Sequence, residues 1–190
     1  MAKGLAAAVA ALALLLLIPA AAPAKRVAGV NVKPGCDFIG TRVCELPWPN
    51  DYFTKRDRRT DTGRRLALRK SAMPRNKSGK PIDPTDMNRA DGFSPGSAML
   101  VKVPGLDTPR AVRRSKLPPL TNVRRVLAKG SPVVVINART GKRHPIWAEI
   151  DSNAKRARDR VLIIRPAVNL DEGERYIVAL RNLKNARANV

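Results

Sequence analysis

After residue 24, every run of Val, Ile and Leu in this chain is short and is ended within a few residues by proline, glycine or a polar turn. That punctuation limits the fold more than any other feature. The chain contains 16 prolines and 12 glycines among 190 residues. Proline fixes its own φ and has no N–H to donate, so long helices cannot form across it. Short β-branched runs between such breaks read as strands. SAMLVKV (97–103), PVVVIN (132–137), HPIWAEI (144–150), RVLIIRP (160–166) and RYIVALRNL (175–183) are the five candidates. PVVVIN and HPIWAEI flank the turn residues ARTGK and are expected to pair as one hairpin. In HPIWAEI, Ile146, Ala148 and Ile150 fall on one face, and Trp147 and Glu149 on the other. Helical candidates are scarce, since SNAKRARDR (152–160) is charged and has no apolar face. The expected fold is an antiparallel, immunoglobulin-like β-sandwich over 97–190.

Residues 25–96 show little periodicity. Seven prolines and seven glycines interrupt them, with apolar anchors at Leu46, Trp48, Tyr52, Phe53, Leu66 and Leu68. They read as an irregular strap packed on the sandwich. Cys36 and Cys44 are the two cysteines of the chain. Their spacing is not C-x-x-C, and in an exported protein an even pair reads as a structural disulfide. Such a bridge contributes about 2–3 kcal/mol by restricting the unfolded chain.

Export is expected from residues 1–24. Lys3 is followed by an uncharged apolar run (5–18), then Pro19 and the small-residue site Ala22-Pro23-Ala24. This is the pattern of a secretory signal peptide cleaved after Ala24. A membrane anchor is the alternative, because about 20 apolar residues span a bilayer. No later run approaches that length, so no transmembrane span is expected after cleavage, and the chain is expected to be secreted or held at the cell surface.

The formal charge is +22, which favours anionic partners such as envelope polymers. The basic residues are spread over 25–187 rather than gathered in one block, as on a solvated arginine-rich surface. Aromatics make up 4% of the chain, too few for a base-stacking platform. With no helix-turn-helix, zinc-finger or RNA-binding signature present, nucleic acid is not an expected partner.

Near the C-terminal end, NLDEGERYIVAL sets Leu170, the turn residue Gly173 and then Tyr176 at the start of an alternating strand. That is the pattern of a tyrosine corner, in which the phenol bonds back to upstream backbone. A further strand should follow. NARANV, after Leu183, is too short and polar to supply it, so the domain either ends on an open edge, which proteins avoid, or is a fragment.

The segments CELPWPNDYFT, TGRRLAL, PIDPTDMNRADGFSPGS, VPGLD and LIIRPAVNLDEGERYIVALRNL together resemble the N-terminal region of large secreted bacterial proteins, of the Ig-like or secreted-lipase N-terminal module type. The resemblance covers about 36–183 and includes no catalytic motif. It implies a β-rich accessory module ahead of a longer polypeptide, which would be its partner. In relatives of the hydrolase kind the chemistry would lie downstream.

Gly92-Phe93-Ser94-Pro95-Gly96 matches G-x-S-x-G, the nucleophile elbow of serine hydrolases. An elbow requires a strand before the serine and a helix after it, and it uses the backbone N–H of the following residue in the oxyanion hole. Here a polar, turn-like stretch precedes Ser94, a strand candidate follows, and Pro95 has no N–H. A triad would also require the lone His144 and Asp107. Losing one oxyanion donor costs about 10²–10³ in rate, so Ser94 is expected to be a turn serine. Asp83, Asp86, Asn88 and Asp91 supply oxygen atoms that a calcium loop could use. The register departs from the EF-hand and Arg89 sits among them, whereas Asx-turns explain the same residues. His144 alone cannot form a transition-metal site. No cofactor is expected, and the chain reads as non-catalytic.

Overall fold

The computed structural model describes residues 46–187. Among the described residues the regular structure is mainly strand, in antiparallel pairs, with little helix. Its elements are β1 (Thr54–Arg56), β2 (Arg64–Leu66), β3 (Met99–Val101), α1 (Pro109–Ser115), β4 (Val133–Asn137), β5 (Arg143–His144), β6 (Ile146–Ile150), β7 (Leu162–Pro166) and β8 (Tyr176–Leu180). Short 3-10 segments lie at Asp51–Phe53, Met87–Arg89, Leu120–Leu127 and Ala157–Asp159.

Two three-stranded sheets share one core. One has the order β3-β7-β6 and the other β5-β4-β8. Val133 and Val135 of β4, Ile146 of β6, and Leu162 and Ile164 of β7 are fully enclosed in it. Full burial of each such side chain is worth about 1.5–3 kcal/mol, so this cluster is the main source of stability.

The expected hairpin between 132–137 and 144–150 forms only in part. β5 pairs with β4 through Val135–His144 and Ile136–Arg143. After Pro145 the chain leaves that sheet, and β6 pairs with β7 from Ile146–Pro166 to Ile150–Leu162. Pro145 cannot donate to either ladder, and its carbonyl accepts from Ala167 N–H at 3.0 Å. The chain passes from one pairing to the other between His144 and Pro145, joining the two sheets along one side.

α1 was not anticipated. Thr108 Oγ1 accepts from Ala111 N–H at 3.2 Å, Pro109 occupies the first helical position, and Lys116 closes the helix with φ +53°. These are standard start and stop devices. Ala111, Leu117 and Val126 join the core from α1 and the segment after it, so this excursion covers one end of the space between the sheets.

The region expected to be an irregular strap is more regular where it is described. β1 and β2 pair from Thr54–Leu66 to Arg56–Arg64. Phe53, Leu68 and Met73 form a second small core, with Trp48 and Phe93 packed on it. Trp48 meets Phe53 at 5.5 Å and Phe93 edge-on at 5.0 Å. Asn88 laces the 3-10 turn to this unit, accepting from Leu68 N–H at 2.7 Å and donating to Leu68 C=O at 3.0 Å. The unit joins the larger one where Trp48 and Leu100 exchange backbone bonds of 2.8 and 2.6 Å, along the outer edge of β3. Cys36, Cys44 and residues 1–24 lie outside the described residues. Among the described residues, no helix is long and apolar enough to cross a membrane.

The β1–β2 turn is held by a nearly enclosed carboxylate. Asp57 receives Arg59 Nε at 3.1 Å and Arg65 Nε at 2.8 Å. Arg59, then Arg65, hold its pKa far below the ordinary carboxylate range. Asp83, bonded by Thr85 and then Lys70, is lowered to about 2. Because both folded pKa values are depressed, their stabilisation is present above about pH 4 and is lost as pH falls below it. Thermal melts are expected to show Tm dropping between about pH 4 and pH 2, less steeply in Asp57→Asn. A Tm that is flat across that window would contradict this.

Candidate functional site

A cleft of about 720 Å3 opens between the N-terminal unit and the two sheets. Trp48 and Phe93 form one wall, Met99 and Ile164 lie at its base, and β8 forms the opposite wall. The loop carrying Ser94 borders it.

That loop acts as a brace. Phe93 packs edge-on against Trp48. Ser94 C=O accepts from Ser97 N–H at 3.0 Å, closing a turn, and Pro95 C=O accepts from Leu170 N–H at 3.1 Å. A Cβ on Gly96 would stand 3.2 Å from Asn169 Oδ1, so glycine permits close approach of the 169–170 loop. The second glycine of the G-x-S-x-G pattern is thus explained by packing between two segments about 75 residues apart, which local spacing cannot reveal.

His144 is bonded elsewhere, and Asp107 holds Arg160 through its backbone carbonyl. His144 Nε2 lies 2.9 Å from Val168 C=O, and its ring meets Tyr176 edge-on at 5.5 Å. Asp107 C=O accepts from Arg160 Nη1 at 3.0 Å. No hydrogen bond joins Ser94, His144 and Asp107 to one another among the described residues.

The acidic loop residues are likewise distributed. Asp83 Oδ1 accepts from Thr85 N–H at 3.0 Å and Thr85 Oγ1 at 2.6 Å, an Asx-type turn. Asp86 pairs with Arg89 at 3.4 Å. Asp91 C=O accepts from Thr62 Oγ1, and Asp91 lines the cleft. Among the described residues, no three His, Cys, Asp or Glu side chains are gathered closely enough to hold a metal ion.

Leu170, Gly173 and Tyr176 form one turn at the rim. Gly173 has φ +69°, a conformation favoured by glycine. Tyr176 Oη accepts from Asp171 N–H at 3.0 Å and donates to Asp171 Oδ2 at 2.8 Å. Leu170 and the Tyr176 ring pack on the main core. Beside them Arg139 Nε donates to Glu174 Oε1 at 2.7 Å, and Arg139 holds the Glu174 pKa below its usual value. Arg175 pairs with Asp51 across the cleft, and Arg64, in the same unit as Asp51, pairs with it at 3.9 Å.

β8 itself was legible as a strand, but its exposure was not. Ile177 is 52% and Val178 41% exposed, although both belong to an apolar run that reads as core.

Compared with known protein families, curated proteins and solved structures, the chain matches none.

Replacing Tyr176 with Phe removes both phenol hydrogen bonds while preserving the ring. Tyr176→Phe is expected to destabilise the chain by about 1 kcal/mol, measured by urea unfolding at neutral pH. An unchanged unfolding midpoint would show that the turn does not depend on these bonds.

Proposed function

We propose that this chain is a non-catalytic accessory module of an exported protein, an immunoglobulin-like β fold that supports a larger cell-envelope or extracellular polypeptide. The observation that carries this reading is the use made of the Ser94 loop. Its backbone carbonyls close a turn and hold the 169–170 loop, while Phe93 docks the N-terminal aromatic cluster. The residue after Ser94 is proline, so the amide that an elbow aims at a developing oxyanion is missing. Further support comes from Tyr176, whose phenol bonds back five residues to the Asp171 backbone at the start of an outer strand, as tyrosine corners do. In a parent of the secreted-lipase kind, the same module would precede the catalytic part and position it.

The purified chain, treated with a fluorophosphonate that labels activated serines, is expected to remain unlabelled at Ser94. Its ester hydrolysis should equal that of Ser94→Ala. Stoichiometric labelling at Ser94 would overturn the non-catalytic reading.

A further inference from the structure

We infer that the free edge of β8, together with the cleft beside it, is an acceptor site for an added extended polypeptide strand that runs antiparallel to β8 and carries acidic residues at its N-terminal end and basic residues at its C-terminal end. The inference goes beyond the proposed function and does not depend on whether any part of the parent is catalytic.

The first ground is backbone chemistry. β8 pairs with β4 on one side, from Val133–Leu180 to Asn137–Tyr176. Arg175 C=O accepts from Ala138 N–H at 2.8 Å, and Arg181 N–H donates to Pro132 C=O at 2.9 Å. Antiparallel ladders alternate, so Ile177 and Ala179 also direct their N–H and C=O groups toward β4. Tyr176, Val178 and Leu180 direct theirs outward. No other strand among the described residues pairs with β8. A row of alternating donors and acceptors at strand spacing specifies an extended peptide backbone as its complement.

The second ground is the apolar surface. Side chains alternate along a strand, so Val178 shares a face with Tyr176 and Leu180, which pack on the main core. Val178 remains 41% exposed because the cleft lies over it. An added strand would place every second side chain in that cleft, over Met99 and Ile164 on the far sheet.

The third ground is charge. Asp171, Glu172 and Glu174 precede β8 together with Arg175, which is paired with Asp51, and Arg181 and Lys184 follow it. A strand antiparallel to β8 meets the basic end with its own N-terminus and the acidic end with its C-terminus, which fixes its charge order. A second copy of this chain fits less well. Self-pairing centred on Val178 would set Arg175 opposite Arg181 of the other copy, twice, and like charges directly opposite are destabilising.

The test uses the chain and a labelled synthetic peptide, Asp-Glu-Val-Thr-Val-Thr-Val-Ser-Lys-Ser-Lys, followed by fluorescence anisotropy. Saturable binding is expected, weakened at least about tenfold when the charged ends are exchanged. Val178→Pro removes one outward N–H and leaves the β4 ladder intact, since proline is tolerated on edge strands. It is expected to abolish binding while retaining the wild-type circular dichroism spectrum. Should that variant not fold, Val178→Lys provides the same block with a charge pointing into the cleft. Equal affinity for the two peptides, undiminished binding by a folded edge variant, or no binding to the wild-type chain overturns the proposal. So does a dimer in size-exclusion chromatography with light scattering that Val178→Lys dissociates, because the occupant would then be a second copy. Labelling of Ser94 by the phosphonate would refute the non-catalytic reading and leave this result untouched.

Discussion

The step from His144 to Pro145 connects the two sheets. His144 pairs with Val135 in one sheet, and Ile146 pairs with Pro166 in the other, so one residue carries the chain between them. Neighbouring residues of a strand turn their backbone groups to opposite sides, so His144 faces β4 while Pro145 faces β7, its carbonyl accepting from Ala167 N–H. The six strands thus form a rolled succession, β3-β7-β6 followed by β5-β4-β8. It is joined at the proline and open where β3 and β8 face across the cleft. Where the core is sealed and where it is accessible both follow from this arrangement.

The open side is occupied in part by the N-terminal unit. Trp48 bonds to Leu100 on the β3 edge, and the Ser94 loop reaches the 169–170 turn that leads into β8. These contacts fix the N-terminal unit to β3 and to the turn before β8, while no strand among the described residues pairs with the outer edge of β8. A loop whose residues match the pattern of a catalytic elbow here joins two units. The functional reading therefore rests on what the loop holds together.

Strand positions were legible because β-branched runs between breakers leave the backbone few choices. Met99, Val133, Ile146, Leu162 and Tyr176 each begin a strand inside the expected segments. Partnership was less legible. The run around Ile146 reads as one hairpin arm, and only tertiary pairing reveals that it divides at Pro145. α1 is hard to read in the sequence because Arg110, Arg113 and Arg114 obscure a narrow apolar stripe, although Thr108-Pro109 is a recognisable helix start. The aromatic cluster of Trp48, Phe53 and Phe93 was legible only as separate anchors. The cleft could not be read at all, since its walls come from segments more than 80 residues apart, and sequence patterns report periodicity rather than long-range register. The turn at Leu170, Gly173 and Tyr176 was visible because all its parts are local.

Among the described residues, β8 is bonded to β4 on one side and open on the other. Residue-resolved amide hydrogen exchange of the isolated chain tests it most directly. Ile177 and Ala179 should exchange slowly, because their N–H groups lie in the β4 ladder, while the intervening Val178 exchanges nearly as fast as unstructured backbone. Equal, strong protection of Val178 in the monomer would show that the edge is already covered and would contradict the account.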